Sequence, residues 1–158
     1  MENIIQITVE IESDVKQAFR MFTVNELLEN WLTVKAEVEP KVEGKYELFW
    51  DPDNREINST IGCKITGFEQ DTFVSFDWKG PVEFQSFMNS ADPLTHVIVF
   101  FSPSSNNPDE TTIRLFHTGW RKDLEWQQAH NYFEKAWSQA LQELKNKIKN
   151  NSTLISGM

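Results

Sequence analysis

Between Trp126 and Ile148 the chain places apolar residues at spacings of three and four: Trp126, Ala129, Phe133, Ala136, Trp137, Ala140, Leu141, Leu144 and Ile148. That period marks one face of an α-helix, here of about seven turns at about 3.6 residues per turn. Asp123 stands where an N-cap is expected. The opposite face carries Gln127, Glu134, Gln142, Lys145 and Lys149, and Glu143 and Lys147 are spaced for an i, i+4 ion pair. A helix this long with an apolar stripe needs an equally long apolar surface to lie on.

The preceding residues supply candidates for that surface. Ile5, Ile7, Val9 and Ile11 alternate with Gln6, Thr8, Glu10 and Glu12, the period of a half-buried strand. Ser13 is placed to cap a helix beginning at Asp14, with Val15, Ala18, Phe19 and Phe22 on one face. Thr23 and Asn25 interrupt it, and a second short helix from Asn25 to about Leu32 turns Leu27, Leu28, Trp31 and Leu32 inward. Strands are then predicted over 34–39, from Gly44 with Tyr46, Leu48 and Trp50 in alternation, and through Ile61, Cys63 and Ile65. Val74, Phe76 and Trp78 form another, after a turn at Glu69-Gln70-Asp71. Gly80-Pro81 breaks the pattern, and 81–93 reads as a short helix or a flap. Leu94–Phe101 and Thr111–Thr118 are the last strands, the second with Ile113, Leu115 and His117 on one face.

The order is strand, two short helices, about six strands and one long helix. Strands joined by short turns and helices kept apart from them predict an α+β fold. A curved antiparallel sheet of about seven strands would wrap the long C-terminal helix. Residues 1–150 are expected to form a single domain and 151–158 a flexible tail.

Charge and cysteine content narrow the function. The net charge is −9, from 24 acidic and 15 basic residues, so neither nucleic acid nor an anionic membrane finds a basic footprint. Cys63 is the one cysteine, which removes an intramolecular disulfide and a structural thiolate zinc site. His96, His117 and His130 show no ligand-pair spacing, and no metal or cofactor is expected. With neither a signal-peptide block nor a membrane-length apolar run, a cytoplasmic location is expected.

Large rings are the unusual component: 12 Phe, 6 Trp and 2 Tyr, or 13% of the chain. They either fill a core or line a pocket. Trp50, Phe76, Trp78, Trp120, Phe133 and Trp137 are expected to face the space between helix and sheet. Small Cys63 and Ala140 would leave room there, and Phe84 and Phe87 would guard its entrance. His117 shares parity with Ile113 and Leu115, so it points inward with them, either to orient a ligand or as a satisfied buried histidine bonded to backbone. Cys63 reads as a small buried hydrophobe rather than a nucleophile, because Lys64 points to the opposite face. The carboxylate pairs Asp51/Asp53 and Asp109/Glu110 fall in solvated turns. No catalytic dyad emerges.

Several stretches, in order along residues 3–149, resemble a known family. They are Ile7-Thr8-Val9-Glu10-Ile11 with Val15 and Phe19, Leu28 with Trp31, Val42-Glu43-Gly44-Lys45-Tyr46, Gly62 with Ile65, and Phe76-Asp77-Trp78. Most specific are Thr112-Ile113-Arg114-Leu115-Phe116-His117-Thr118-Gly119-Trp120 and Ala136-Trp137-Ser138-Gln139-Ala140-Leu141-Gln142-Glu143-Leu144-Lys145. They are similar to the heat shock protein 90 ATPase activator homologues of the START-like (SRPBCC) superfamily, although Ala136 stands where that family often has Gly. The resemblance implies a helix-grip fold and three kinds of function. The first is binding of a small hydrophobic molecule in a cavity between sheet and C-terminal helix. The second is interaction with a chaperone or other protein. The third is an enzyme of the polyketide cyclase/dehydratase kind.

Overall fold

The structure, a computed structural model, describes the backbone of residues 3–156 and the side chains of residues 3–150. The side chains of the expected tail, 151–158, lie outside the described residues. In chain order the elements are β1 (Ile5–Ile11), α1 (Val15–Thr23), α2 (Asn25–Trp31), β2 (Lys35–Val38), β3 (Tyr46–Phe49), β4 (Ile65–Glu69) and β5 (Phe73–Trp78). A 3₁₀ turn (Val82–Phe84), α3 (Gln85–Met88), β6 (Thr95–Pro103), β7 (Thr111–Thr118) and α4 (Leu124–Ser156) follow. Five strands pair antiparallel in the order β1-β7-β6-β5-β4, and β2 pairs with β3. Isolated bridges, Lys45 with Lys64 and Phe49 with Ser59, carry the curvature from one sheet to the other. Seven strands thus wrap one long helix, the α+β helix-grip arrangement expected from the sequence.

The inward positions of the sheet are those that alternation picks out. Val74, Phe76 and Trp78 on β5, Val97, Val99 and Phe101 on β6, and Ile113, Leu115 and His117 on β7 are all buried. On α4, Trp126, Ala129, Phe133, Trp137, Leu141, Leu144 and Ile148 are buried against them. The first turn of α4 closes with the Gln127 amide donating to the Asp123 carbonyl at 3.0 Å. Phe19 of α1 meets Phe68 and Phe101 edge-on at 5.3 and 5.4 Å, and Phe22 meets Phe101 and Trp31 at 5.4 and 5.0 Å. These offset geometries suit the ring quadrupoles. Tyr46 is fully buried, with its ring stacked 3.8 Å from Phe76 and its hydroxyl donating to the Phe22 carbonyl at 2.7 Å. Helix α2 also finishes the sheet. Asn25 Oδ1 accepts from the Val38 amide at 2.8 Å and Glu29 Oε2 from the Ala36 amide at 3.0 Å, covering an edge of β2 that would otherwise be open.

Four local expectations are corrected. The cap of α1 is Asp14, not Ser13: Asp14 has extended backbone and accepts from the Gln17 amide at 2.9 Å, joining hydrogen bond and charge at the helix start. The segment around Ile61 and Cys63 is not a regular strand, which begins only at Ile65. Thr60 takes the neighbour's place with its side chain, donating to the Tyr46 carbonyl at 2.8 Å and accepting from the Leu48 amide at 2.9 Å. Trp50 lies just past the end of β3 and is 38% exposed, while Phe49 is fully buried. The ion pairs among the described residues are Lys35–Glu29 and Arg55–Glu37, not Glu143–Lys147. The Lys147 ammonium donates instead to the Asn30 carbonyl and side chain, tying α4 to α2.

Leu141 is 1% exposed on the central stripe of α4. Leu141→Ala is expected to lower unfolding free energy by about 2–5 kcal/mol, the usual loss for a buried leucine. Glu134→Ala, on the outer face, should change it by less than about 0.5 kcal/mol. Equilibrium urea denaturation measures both.

Candidate functional site

At the end of β7 the chain must reverse to enter α4, and Gly119 makes the reversal. Its φ of 92° lies in the left-handed region, and a Cβ there would sit 3.1 Å from the Thr95 Cα. The turn folds Trp120 back so that its indole Nε1 donates to the His117 carbonyl at 3.0 Å, with the two rings 4.5 Å apart. His117 is fully buried. Trp137 Nε1, from α4, donates to His117 Nδ1 at 3.0 Å. Nδ1 therefore bears no hydrogen, and the neutral ring carries its proton on Nε2. Nε2 donates to Thr95 Oγ1 at 3.0 Å, and that hydroxyl donates to the Trp78 carbonyl at 3.4 Å. A relay of four residues thus links helix α4 to β7, β6 and β5.

The relay answers the question posed by His117. It is a satisfied histidine, held by an indole and a hydroxyl rather than by backbone. Burial lowers its pKa well below 6.5, with the other histidines adding to the effect. Both nitrogens are committed behind Trp137, so the ring offers no free acid or base to a ligand.

In front of the relay, between α4, α2 and the end of β5, lies a cleft of about 390 Å³. Its aromatic walls are Trp31, Trp50, Trp78, Tyr132, Phe133 and Trp137. Ala136 and Ala140 leave the room, and Lys79, Glu83 and Glu143 add charge. Trp78 packs 5.0 Å from Trp137 and 6.0 Å from Trp50. On α4 the core stripe of Phe133, Trp137 and Leu141 borders a flanking stripe, Tyr132, Ala136, Gln139, Ala140 and Glu143, that faces the cleft.

Of the residues expected at such a site, Trp50, Trp78, Phe133 and Trp137 meet at this cleft, and Ala140 joins them. Phe76 is packed behind it against Tyr46, and His117 and Trp120 lie behind Trp137. Cys63 is buried beside β3, where its carbonyl accepts from the Tyr46 amide at 2.9 Å. Burial pushes its thiol up to about 12, so it is protonated and unreactive at neutral pH. Phe84 and Phe87 dock on α4 instead, 5.3 Å from Tyr132 and 5.2 Å from Trp126. Sequence reading omitted Trp31, Tyr132, Lys79, Glu83 and Glu143. The position of Tyr132, one residue before the core stripe, was the available signal.

The segment expected as a short helix or flap is fastened at its base. Asn89 Oδ1 accepts from the Gly80 amide at 2.7 Å, and Asn89 Nδ2 donates to the Gly80 carbonyl at 3.0 Å. A Cβ on Gly80 would lie 2.7 Å from the Met88 sulfur, so a larger residue there would require that side chain to shift. The Val82 amide donates to Asn58 Oδ1 at 2.9 Å, and the Lys79 ammonium donates to the Ile61 carbonyl at 2.6 Å.

The lowered pKa of His117 has a definite sign for stability. Below pH 6.5 the unfolded chain takes up a proton that the folded ring refuses. Stability is thus fullest above that pH and falls as the pH drops toward the folded value. Partly buried His96, also lowered by burial, acts in the same direction. The thermal midpoint is expected to be lower at about pH 5.5 than at about pH 7.5. His117→Gln, which keeps an acceptor for the Trp137 indole but cannot titrate, should flatten that difference in a thermal scan.

Residues 12–149 match the family described as "Activator of Hsp90 ATPase homolog 1-like protein". No curated protein sequence matches the chain. Solved structures of the same fold include a protein of Mesorhizobium loti, 18% identical, with 92% of this chain and 97% of that one covered at a TM-score of 0.68. The Aha1 dimer of Colwellia psychrerythraea is 15% identical over 92% of this chain and 95% of that one, at a TM-score of 0.69. An HSP90 activator from Plasmodium falciparum is 20% identical, covering 98% and 96% at a TM-score of 0.60. No described helix is long and apolar enough to cross a membrane. With a match spanning nearly all of its elements, the chain belongs to the activator of Hsp90 ATPase homolog 1-like family, within the START-like superfamily.

Proposed function

We propose that this chain is a START-like binding domain that holds a small hydrophobic molecule in the cleft between sheet and C-terminal helix. The observation that carries the reading is the cleft itself: about 390 Å³ walled by six aromatic rings. Ligand pockets run about 300–1,000 Å³ with mostly apolar walls and a few polar groups. Ala136 and Ala140 keep the space open on the helix side, and Gly80, Pro81 and Glu83 line it from the segment after β5.

The test is titration with the apolar dye Nile red, paired with native mass spectrometry of the purified protein for a co-purified compound. The dye's emission should rise on binding to the wild type. Ala140→Trp, which fills the cleft from the helix side, should remove that rise while the thermal midpoint stays near that of the wild type. Trp137→Ala should also abolish binding. Undiminished dye binding by a folded Ala140→Trp variant would overturn this assignment.

A second reading follows from family membership and from the HSP90 activator among the structures of like fold. On that reading an outer face contacts a chaperone of the Hsp90 type, whether or not the cleft is filled. Adding the chain to purified Hsp90 should then raise the chaperone's ATPase rate. An unchanged rate at high micromolar chain would count against it.

A further inference from the structure

The convex face of the sheet, turned away from α4, carries an apolar cluster at its centre. Phe73 of β5, Ile98 and Phe100 of β6 and Phe116 of β7 alternate with the buried positions Val74, Val97, Val99 and Leu115, and so point outward. Phe100 is 41% exposed, and the other three are half-buried. The rings form one group, with Phe100 5.9 Å from Phe73 and 5.9 Å from Phe116. Strand register sets what flanks them. Arg114 of β7 pairs with Phe100, Phe100 with Phe73, and Phe73 with Glu69 of β4. One row across four strands therefore reads Arg114, Phe100, Phe73, Glu69: a cation at one end, an anion at the other and two rings between. Both ends are exposed, and neither joins the ion pairs among the described residues, Lys35–Glu29 and Arg55–Glu37. The Arg114 guanidinium donates to the Ser102 hydroxyl at 3.4 Å. With strands about 4.8 Å apart, Arg114 and Glu69 stand about 14 Å from each other, too far to pair within one chain.

We infer that this face binds a second copy of the chain, face to face about a two-fold axis that runs along the strands between β5 and β6. The row is its own complement under that operation. It sets Arg114 over the partner's Glu69, Glu69 over the partner's Arg114, and Phe100 over the partner's Phe73, the isologous pattern in which every contact occurs twice. Sheets stacked this way lie about 10 Å apart with their strands nearly aligned, a depth that two layers of side chains fill. The acidity of the chain opposes self-association, but most of it lies elsewhere. Outward positions on this face hold Glu10, Glu69 and Asp77 against Lys64 and Arg114, three acids to two bases, whereas the whole chain carries −9. An exposed apolar cluster rimmed by polar residues marks a protein interface. Because both sheets curve away from the axis, contact stays at the centre of the face, and the dimer belongs to the weak, transient class.

Sedimentation velocity of the full chain tests this. The mass is expected to rise from 18.5 kDa at low micromolar concentration toward twice that value at high micromolar concentration. Phe100→Asp should leave a monomer. Arg114→Glu and Glu69→Arg should each weaken the dimer about tenfold, since either change turns both ion pairs into repulsions. An equimolar mixture of those two variants should associate as the wild type does, because the mixed pair again sets acid against base at both ends. All three positions are exposed, so the thermal midpoints should stay near that of the wild type. A chain that stays monomeric at high micromolar concentration overturns the second copy and leaves the face to a different partner. A dimer that survives Phe100→Asp lies on another surface and overturns the proposal as well. A mixture that fails to associate while the wild type dimerises overturns the two-fold register.

Discussion

The fit of one helix face into one curved sheet is the constraint on which the other features depend. The stripe from Trp126 to Ile148 is buried along its length, and every sheet strand from β5 to β7 contributes inward residues to meet it. A groove this long must match the helix in both shape and polarity. Apolar packing supplies most of the match, and the indole of Trp137 supplies its polar fixed point. By donating to buried His117, it sets the tautomer of that ring and, through Thr95, joins the helix to three strands. Displacing the helix would break that bond and leave buried polar groups unpaired, which is costly in an interior of low polarity. The relay therefore fixes register, and the rings around it fix distance.

The cleft follows from how that fit ends. The large core residues Phe133 and Trp137 of α4 pack against His117 of β7 and Trp78 of β5. On the side toward α2 and the end of β5 the helix carries Ala136 and Ala140, and no other element crosses the gap. The same packing that fills the centre leaves a space at its margin. Trp50 and Tyr132, each partly exposed, stand at that margin, so apolar wall and solvent meet there. The fastened segment after β5, closed by Asn89 on Gly80, keeps the border in place.

Family membership locates this chain within a fold and leaves its chemistry to the side chains. The three solved structures named above are 20% identical or less, a range in which the backbone persists while the residues lining a cleft change. One fold carries many functions, so the reading rests on the rings and charges of this cleft. The arrangement around His117 shows why. A histidine on an inward strand position suggests chemistry from sequence alone, yet here its two nitrogens are taken up by the Trp137 indole and the Thr95 hydroxyl.

The sequence by itself determined the elements and their inward faces. Period-2 alternation in β1, β5 and β7 and the three–four spacing in α4 are direct records of which side of each backbone is buried, so these were legible residue by residue. It did not determine what replaces a regular pairing. The side chain of Thr60 stands in for a strand neighbour, and Lys147 leaves its expected helix partner for Asn30; both depend on which segments are brought together from far apart in the chain. The site divided along the same line. Trp50, Trp78, Phe133 and Trp137 could be singled out as large inward rings, whereas only the tertiary structure sorted cleft from core. Phe76, Trp120 and His117 carry the same local pattern as those four. They are closed off because neighbours from other elements happen to cover them, and coverage is a property of three dimensions that no local periodicity records.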